Sequence, residues 1–251
     1  MKSNKLVLLE KKFIVASMIV FLLAIISIMT GAYSIMSQED GLRMIFITRI
    51  PRTLALMLTG LALSISGLVM QLITQNRMVE PTTTGTIEWA SLGLILVYIL
   101  IPYPTMVERM LGAIIFSFIG SMIFFLILRK IKLKSSLYAP ILGIMMAGVV
   151  SAFTTFISLE FNMMQALEIW FQGSFAGVQK GRYEFLFLIV IISIAIFFYA
   201  DRLTMAGLGE EFATNIGLNY KQIILIANFL ASIAEIMLLA RFPFLDCLYQ
   251  I

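Results

Sequence analysis

Two short stretches of this sequence carry charged side chains in a setting suited to molecular recognition. The first holds Arg49 and Arg52. The second is the loop that contains Gly207, Leu208, Gly209, Glu210, Glu211, Ala213 and Gly217. Glycine permits sharp turns and acidic residues favour a helix start, so this loop predicts a short helix with Ala213 and Ile216 on one face. Such a helix suits docking in a groove of a partner protein, and an ordinary surface loop is the alternative.

Residues for catalysis or cofactor binding are scarce. The chain has no histidine and a single cysteine, Cys247, which excludes a histidine-based metal site and a disulfide within the chain. Neither the P-loop pattern G-x-x-x-x-G-K-[ST] nor the G-x-S-x-G pattern occurs. The sequence therefore predicts no enzyme active site, no metal and no cofactor. By elimination it favours a transport or scaffold role.

The elements that must position these residues are membrane helices. Of the 251 residues, 61% are hydrophobic and 13% are charged, against about 45–50% and about 25% in soluble domains. One soluble core cannot hide this excess, which excludes a soluble enzyme, a disordered tail and a nucleic-acid module. The pI near 9.2 reflects basic clusters between apolar runs, which is how membrane topology is encoded.

Hydropathy predicts an all-α, polytopic transmembrane helical bundle. A spanning helix needs about 20 apolar residues, and lipid leaves the backbone no other way to satisfy its hydrogen bonds. Seven spans are predicted, the third of them short, at residues 13–36, 53–73, 90–101, 111–128, 137–157, 185–200 and 223–239. The whole chain, 1–251, is predicted to be one transmembrane domain.

Basic clusters predict the orientation, because lysine and arginine are retained on the cytoplasmic side. Four lysines precede the first span, and four basic residues follow the fourth span, namely Arg129, Lys130, Lys132 and Lys134. Both clusters agree with a cytoplasmic N-terminus in a multi-pass protein. Arg43, Arg49 and Arg52 then fall on the outer side, which indicates a function there or an exception to the rule.

Small residues recur at helical spacing in two of the predicted spans. The second span has Gly60, Ser64 and Gly67, and the fifth has Gly143, Ala147, Ser151 and Thr155. Small side chains let helices approach closely in lipid, so helix packing is one interpretation and a lining of a translocation path is the other. No ionisable residue lies near the middle of spans two to six, which argues against a proton-coupled transporter.

Four stretches together resemble the permease subunits of ABC importers for iron–siderophore complexes and cobalamin. The first is R-I-P-R-T-L at 49–54, followed by S-G-L-V-M-Q at 66–71, which ends at Gln71. The others are T-Q-N-R-M-V-E-P-T-T-T-G-T at 74–86, W-F-Q-G-S-F-A-G at 170–177 and L-G-E-E-F-A-T-N-I-G-L at 208–218. The variant at 83–90 is most similar to permeases for catecholate-type siderophores.

The resemblance implies a permease that moves an iron(III)–siderophore complex by alternating access and catalyses nothing itself. Its implied partners are an ABC ATPase, an extracellular siderophore-binding lipoprotein and a second, identical or related permease subunit in a bacterial plasma membrane, without nucleic acid. The 208–218 loop corresponds to the family's ATPase contact, and Arg49 and Arg52 correspond to arginines that pair with glutamates of the binding protein. Gly173 and Gly177 correspond to a short segment near the outer gate.

The end of the sequence differs from the family pattern. The family has ten helices where this sequence predicts seven, and P-F-L-D-C-L-Y-Q-I at 243–251 stands where P-F-L-G-L-x-x-P would follow. One added base after Leu245 regroups a possible codon series into that motif, so we expect an incomplete C-terminus caused by a frameshift, and no transport by the short chain. Glu235 and Arg241 also depart from the family's apolar helix. A frameshifted remnant, a non-transporting scaffold and a secondary transporter are the alternatives.

Overall fold

The chain is all-α in every part that the structure describes. The computed structural model describes residues 2–30, 45–131, 137–165, 175, 178 and 187–239, and within these ranges it contains no β-strand. The predicted fold class is therefore confirmed. The residues predicted at the outer gate, Gly173 and Gly177, lie outside the described residues, as does the whole of 240–251 with Arg241 and Cys247.

Eight α-helices follow one another along the described residues, with a π-helical turn at Ile45–Arg49 and a 3₁₀ turn at Thr82–Thr84. The helices are α1 (Lys2–Met29), α2 (Ile50–Thr74), α3 (Thr86–Leu100), α4 (Met106–Lys130), α5 (Tyr138–Glu160), α6 (Leu188–Ala206), α7 (Glu210–Asn215) and α8 (Tyr220–Leu239).

Five described helical segments are long and apolar enough to cross a membrane, at Lys11–Met29, Ile45–Thr74, Val107–Lys130, Tyr138–Glu160 and Leu188–Ala206. They coincide with the first, second, fourth, fifth and sixth predicted spans. The third span is a shorter apolar helix of 15 residues, and the seventh lies within the 20-residue α8. The first helix ends at Met29, before the predicted boundary at 36, and the sixth continues past 200 to Ala206.

The chain divides into two compact units. The first comprises Met1–Met57 and Val178–Glu184, and the second comprises Leu58–Gly177 and Phe185–Ile251. In the first unit, the guanidinium of Arg49 donates hydrogen bonds to the carbonyl oxygens of Ile28 at 3.2 Å and Met29 at 3.0 Å. These carbonyls belong to the last turn of α1, where a positive charge is favoured. A bond of 3.0 Å between the hydroxyls of Ser27 and Thr53 lies beside it.

The core of the second unit lies where α3, α4 and α8 meet. Its buried side chains are Ala90, Leu94, Ile95, Ala113, Ile114 and Ile236. α3 packs along α4, and α8 packs against both α4 and α6. The buried hydroxyls of Ser121 on α4 and Ser232 on α8 are bonded at 3.3 Å within this unit. Hydroxyls that pair across helices remove the penalty of an unsatisfied polar group in an apolar interior.

α3 is short because it begins inside the bundle. The hydroxyl of Thr86, its first residue, is hydrogen-bonded to the carboxyl group of the buried Glu235. At 1.5 Å per residue, Glu235 lies about 22 Å along α8 from Tyr220. The segment 75–85, which is not α-helical, must therefore enter the bundle before α3 starts, and such backbone is tolerated where protein surrounds it. In the structure, the carboxyl group of Glu235 is therefore hydrogen-bonded to Thr86. The helix α3 also includes Glu88, which lies before the start of the predicted span at 90.

One face of α5 packs on this segment. The buried residues of α5 are Ala139, Gly143, Ala147, Val150, Thr154 and Ser158. Of the predicted stripe, Gly143 and Ala147 are buried, Ser151 is exposed and Thr155 is partly buried. Residues spaced by four advance about 40° per step around a helix of 3.6 residues per turn. The buried face therefore moves from Ala147 to Val150 and not to Ser151.

Candidate functional site

A groove opens where several helix ends of the second unit meet. It has a volume of about 790 Å³ and is lined by the end of α2, the end of α4, part of α7 and the start of α8. Its walls include Gln75, Phe125, Arg129, Glu210 and Tyr220. Residues 208–212 and 214 of the loop predicted to dock on a partner therefore line this groove.

Arg129 joins three walls of this groove. Its guanidinium forms an ion pair with the carboxylate of Glu210 in the first turn of α7. The same guanidinium lies 5.9 Å from the ring centre of Phe125 on its own helix and 5.8 Å from the ring centre of Tyr220 on α8. Both distances lie within the range of cation–π attraction. Glu210 is thus bonded within the chain, where the sequence analysis had placed it among the residues that face a partner.

Tyr220, at the start of α8, contacts Gln75, the residue that follows α2. It precedes the apolar run that begins at Ile223, and its ring is buried. Burial raises the pKa of its hydroxyl, and this outweighs the opposing effects of Arg129 and of a hydrogen bond from the Gln75 side chain. The hydroxyl therefore stays protonated at neutral pH. Gln75 itself has a positive φ of 51° directly after α2.

The backbone of the loop turns at Gly209 and not at Gly207. Gly209 has φ of 122°, a conformation that a residue with a Cβ rarely adopts, whereas Gly207 has a helical φ of −62° and continues from α6. Gly217, with φ of 82°, ends the segment after α7. The predicted short helix is present as α7. The single turn at Gly209 separates its start from the end of α6.

The two sides of α7 differ in exposure. Ala213 is fully buried whereas Ile216 is 49% exposed, so the two residues do not share one face as the sequence predicted. Ile216 lies just past the last helical residue, so the helical periodicity used for the prediction no longer applies there. Leu208 and Phe212 are 62% and 45% exposed, and Glu211 is exposed as well. An acidic residue beside three exposed apolar side chains is a surface suited to a protein partner.

The two arginines of the first stretch have different surroundings. Arg49 is partly buried and bonded to the last carbonyls of α1, whereas Arg52 is exposed on the first turn of α2. Arg49 therefore stabilises the end of a helix within its own unit. Arg52 is the more exposed of the two, and docking of a binding protein at either arginine stays a prediction.

The small residues of α2 also differ in how exposed they are. Gly60 and Ser64 are exposed, and the Ser64 hydroxyl donates to the carbonyl of Gly60 at 2.8 Å. Gly67 is partly buried and faces Pro81. The Gln71 side chain donates to the carbonyl oxygen of Arg77 at 3.2 Å and so supports the segment that climbs to α3. A role of these residues in a translocation path stays a prediction.

Arg129, Tyr220 and Gln75 were missed as site residues. Arg129 was recognised only as one charge of the basic cluster after the fourth span, and no spacing links residues so far apart in sequence. Among the residues that the structure describes, no group of three or more histidine, cysteine, aspartate or glutamate side chains could hold a metal ion.

The apolar helices and their arrangement define a polytopic α-helical membrane protein. The sequence matches the FecCD transport family over residues 13–240, and the chain belongs to that family. A solved structure described as a metal-chelate type ABC transporter in an inward-facing conformation shares the fold. Its TM-score is 0.73 at 23% sequence identity, and the match covers 92% of this chain and 75% of that one.

Relatives with closer sequences are permease proteins of import systems. The petrobactin import system permease protein FatD of Bacillus anthracis is 62% identical over 224 residues, which cover 89% of this chain and 67% of the relative. The petrobactin import system permease protein YclN of Bacillus subtilis is 38% identical, with 80% and 65% covered. The vitamin B12 import system permease protein BtuC of Salmonella paratyphi A is 29% identical, with 80% and 64% covered. The chain thus spans about two thirds of the length of these relatives.

Proposed function

We propose that this chain is the membrane-spanning permease subunit of an ABC importer for an iron(III)–siderophore complex. One structural observation carries the proposal: α7, in the loop that resembles the family's ATPase contact, lines a groove with the ends of α2 and α4 and the start of α8. A partner that moves α7 can therefore act on three membrane helices together. Membership of the FecCD transport family and the 62% identity to a petrobactin permease support the same assignment.

The chain itself supplies no ATP hydrolysis in this proposal. Hydrolysis belongs to a separate ABC ATPase that docks on α7, and an extracellular binding lipoprotein delivers the siderophore. A second permease subunit, identical or related, completes the pathway. The chain needs no cofactor for this work, because the chemistry is confined to the ATPase and the permease only alternates between two openings.

We place the N-terminus and the groove on the cytoplasmic side of a bacterial plasma membrane. Successive spans alternate in direction, so the ends of spans two, four and six and the start of span seven must share one side. The groove collects residues from α2, α4, α7 and α8 in agreement with this order. Arg129 and Lys130 at the same side fit the cytoplasmic excess of basic residues.

The test is uptake of radioactive iron bound to defined siderophores. The gene, with one base added after Leu245, is expressed with its ATPase, binding protein and second subunit in a bacterial strain that lacks other siderophore importers. We expect uptake of one siderophore, with petrobactin the first to be tried, and growth on it under iron limitation. An ATPase variant that cannot hydrolyse ATP is the control. Absence of uptake with every siderophore, although all subunits reach the membrane, would contradict the proposal.

Arg52 offers a separate test of docking on the outer side. We expect Arg52→Glu to weaken capture of the binding protein about fivefold at low salt, because exposed charges steer and orient an encounter. The loss should shrink as salt is added, since screening reduces such interactions over about 8 Å at physiological ionic strength. Capture is measured with the purified transporter and labelled binding protein over a range of salt concentrations.

Arg49→Gln serves as the comparison for this experiment. Arg49 bonds to the carbonyls that end α1, so its loss should lower stability by about 1 kcal/mol without a salt-dependent effect on capture. Equal losses of capture for the two variants at every salt concentration would argue against docking through Arg52.

A further inference from the structure

The contacts of Arg129 link the docking helix to the rest of the bundle. α7 has six residues and its only described ion pair runs from Glu210 to Arg129. Arg129 lies in the last turn of α4 and contacts the ring of Tyr220 at the start of α8. One side chain thus connects α4, α7 and α8, although these elements are far apart in sequence.

Charge and stacking act together at this position. The guanidinium lies near the C-terminal end of α4 and the carboxylate near the N-terminal end of α7, so each charge is favoured by its own helix dipole. The guanidinium also contacts the two rings of Phe125 and Tyr220, which restrict its rotamers. An exposed ion pair alone contributes little, because ordering two long side chains opposes it. A guanidinium already held by two rings loses less freedom on pairing.

We propose that Arg129 is a positioning residue that fixes α7 to the ends of α4 and α8 through Glu210. The inference rests on the proposed function, because it explains how motion of a docked ATPase reaches the membrane helices. Glu210 then works inside the chain, and the contact with the ATPase falls to the exposed Glu211, Leu208 and Phe212. A transporter without the pair still assembles, but its ATP hydrolysis is poorly coupled to transport.

The experiment compares three variants in the assembled transporter: Arg129→Glu, Glu210→Arg and the exchange of both. Each single variant places like charges together, so we expect about fivefold to tenfold less uptake with the ATPase still co-purifying. Hydrolysis of ATP per siderophore transported should rise by the same factor. The double exchange restores the ion pair but not the ring contacts or the favourable helix ends, so it should recover part of the uptake and of the coupling ratio. Rescue of the ratio is a readout that a general loss of folding does not produce.

Arg202 provides the matched control. It is an exposed arginine near the end of α6, and its guanidinium lies 5.5 Å from the ring centre of Tyr199. Arg202→Glu makes the same charge change on a stacked arginine and should leave the coupling ratio within about twofold of the original. If Arg202→Glu uncouples hydrolysis as strongly as Arg129→Glu, the specific role of Arg129 is overturned.

A second measurement separates failure of this inference from failure of the proposed function. The parent chain, Arg129→Glu, Glu210→Arg and the double exchange form a double-mutant cycle. Their unfolding midpoints, measured on the proteins purified in detergent, do not depend on transport. We expect the double exchange to be more stable than the two single changes predict. If the changes in midpoint are additive, Arg129 and Glu210 do not interact, and the proposed pair is overturned. Non-additive midpoints in a transporter whose double exchange fails to recover coupling would overturn the positioning role. Non-additive midpoints with no uptake by the unchanged transporter would contradict only the proposed function.

Discussion

Gly143→Ala is expected to destabilise the second unit by about 3 kcal/mol, the upper part of the range for overpacking a filled interior. A Cβ on Gly143 would lie 1.9 Å from the carbonyl oxygen of Thr83 and 2.9 Å from its carbonyl carbon. These are backbone atoms, so no side-chain rotation can make room. Either α5 or the 3₁₀ turn at Thr82–Thr84 must shift. That turn precedes α3, so a shift there would displace the start of α3 as well.

Gly148 is the matched control on the same helix. It is exposed, and a Cβ at this position would meet nothing within 4 Å. Gly148→Ala should therefore be neutral or stabilise by up to about 1 kcal/mol, the difference between glycine and alanine inside a helix. The two variants differ from the parent chain by the same methyl group. Their thermal unfolding midpoints in one detergent, measured by intrinsic fluorescence, give the comparison directly. Equal midpoints would show that α5 does not approach the turn as closely as described.

The sequence alone was sufficient to predict the helices that cross the membrane from side to side. Their apolar runs are long, and the structure confirms five of them as candidate spans with ends that differ by a few residues. The start of α3 was less accessible. Residues 75–85 lie between two predicted spans, and the path of this segment depends on its contact with Gly143 of α5 and on the bond between Thr86 and Glu235. Hydropathy within one window cannot report a contact made by two other helices.

The candidate site was predictable in part for the same reason. The 208–218 loop was found because its residues are adjacent in sequence and resemble a family motif. Arg129 was recognised only as a basic residue that favours the cytoplasmic side. Its second role, the ion pair with Glu210, joins residues far apart in sequence and therefore leaves no pattern in the sequence. Tyr220 and Gln75 carry no signal of their own. Their roles follow from the meeting of helix ends, which a linear sequence does not display.

The exposed side of α7 offers a direct test of docking. Phe212 is 45% exposed on a helix that otherwise anchors itself through the buried Ala213 and the paired Glu210. In the proposed importer this ring is the natural anchor for the ATPase, because aromatic side chains at the centre of an interface account for much of its binding energy.

Phe212→Asp should therefore weaken binding of the ATPase by about 2 kcal/mol or more, which is about thirtyfold in affinity, and uptake should fall to background. Asn215→Asp is the control, since it adds the same negative charge to an exposed position of the same helix. Both chains should reach the membrane in equal amounts, because neither change touches a span. Co-purification of the ATPase, followed by titration of labelled ATPase against transporter in detergent, measures the difference. If the Phe212 variant binds the ATPase as tightly as the Asn215 variant does, the exposed side of α7 is not the docking surface.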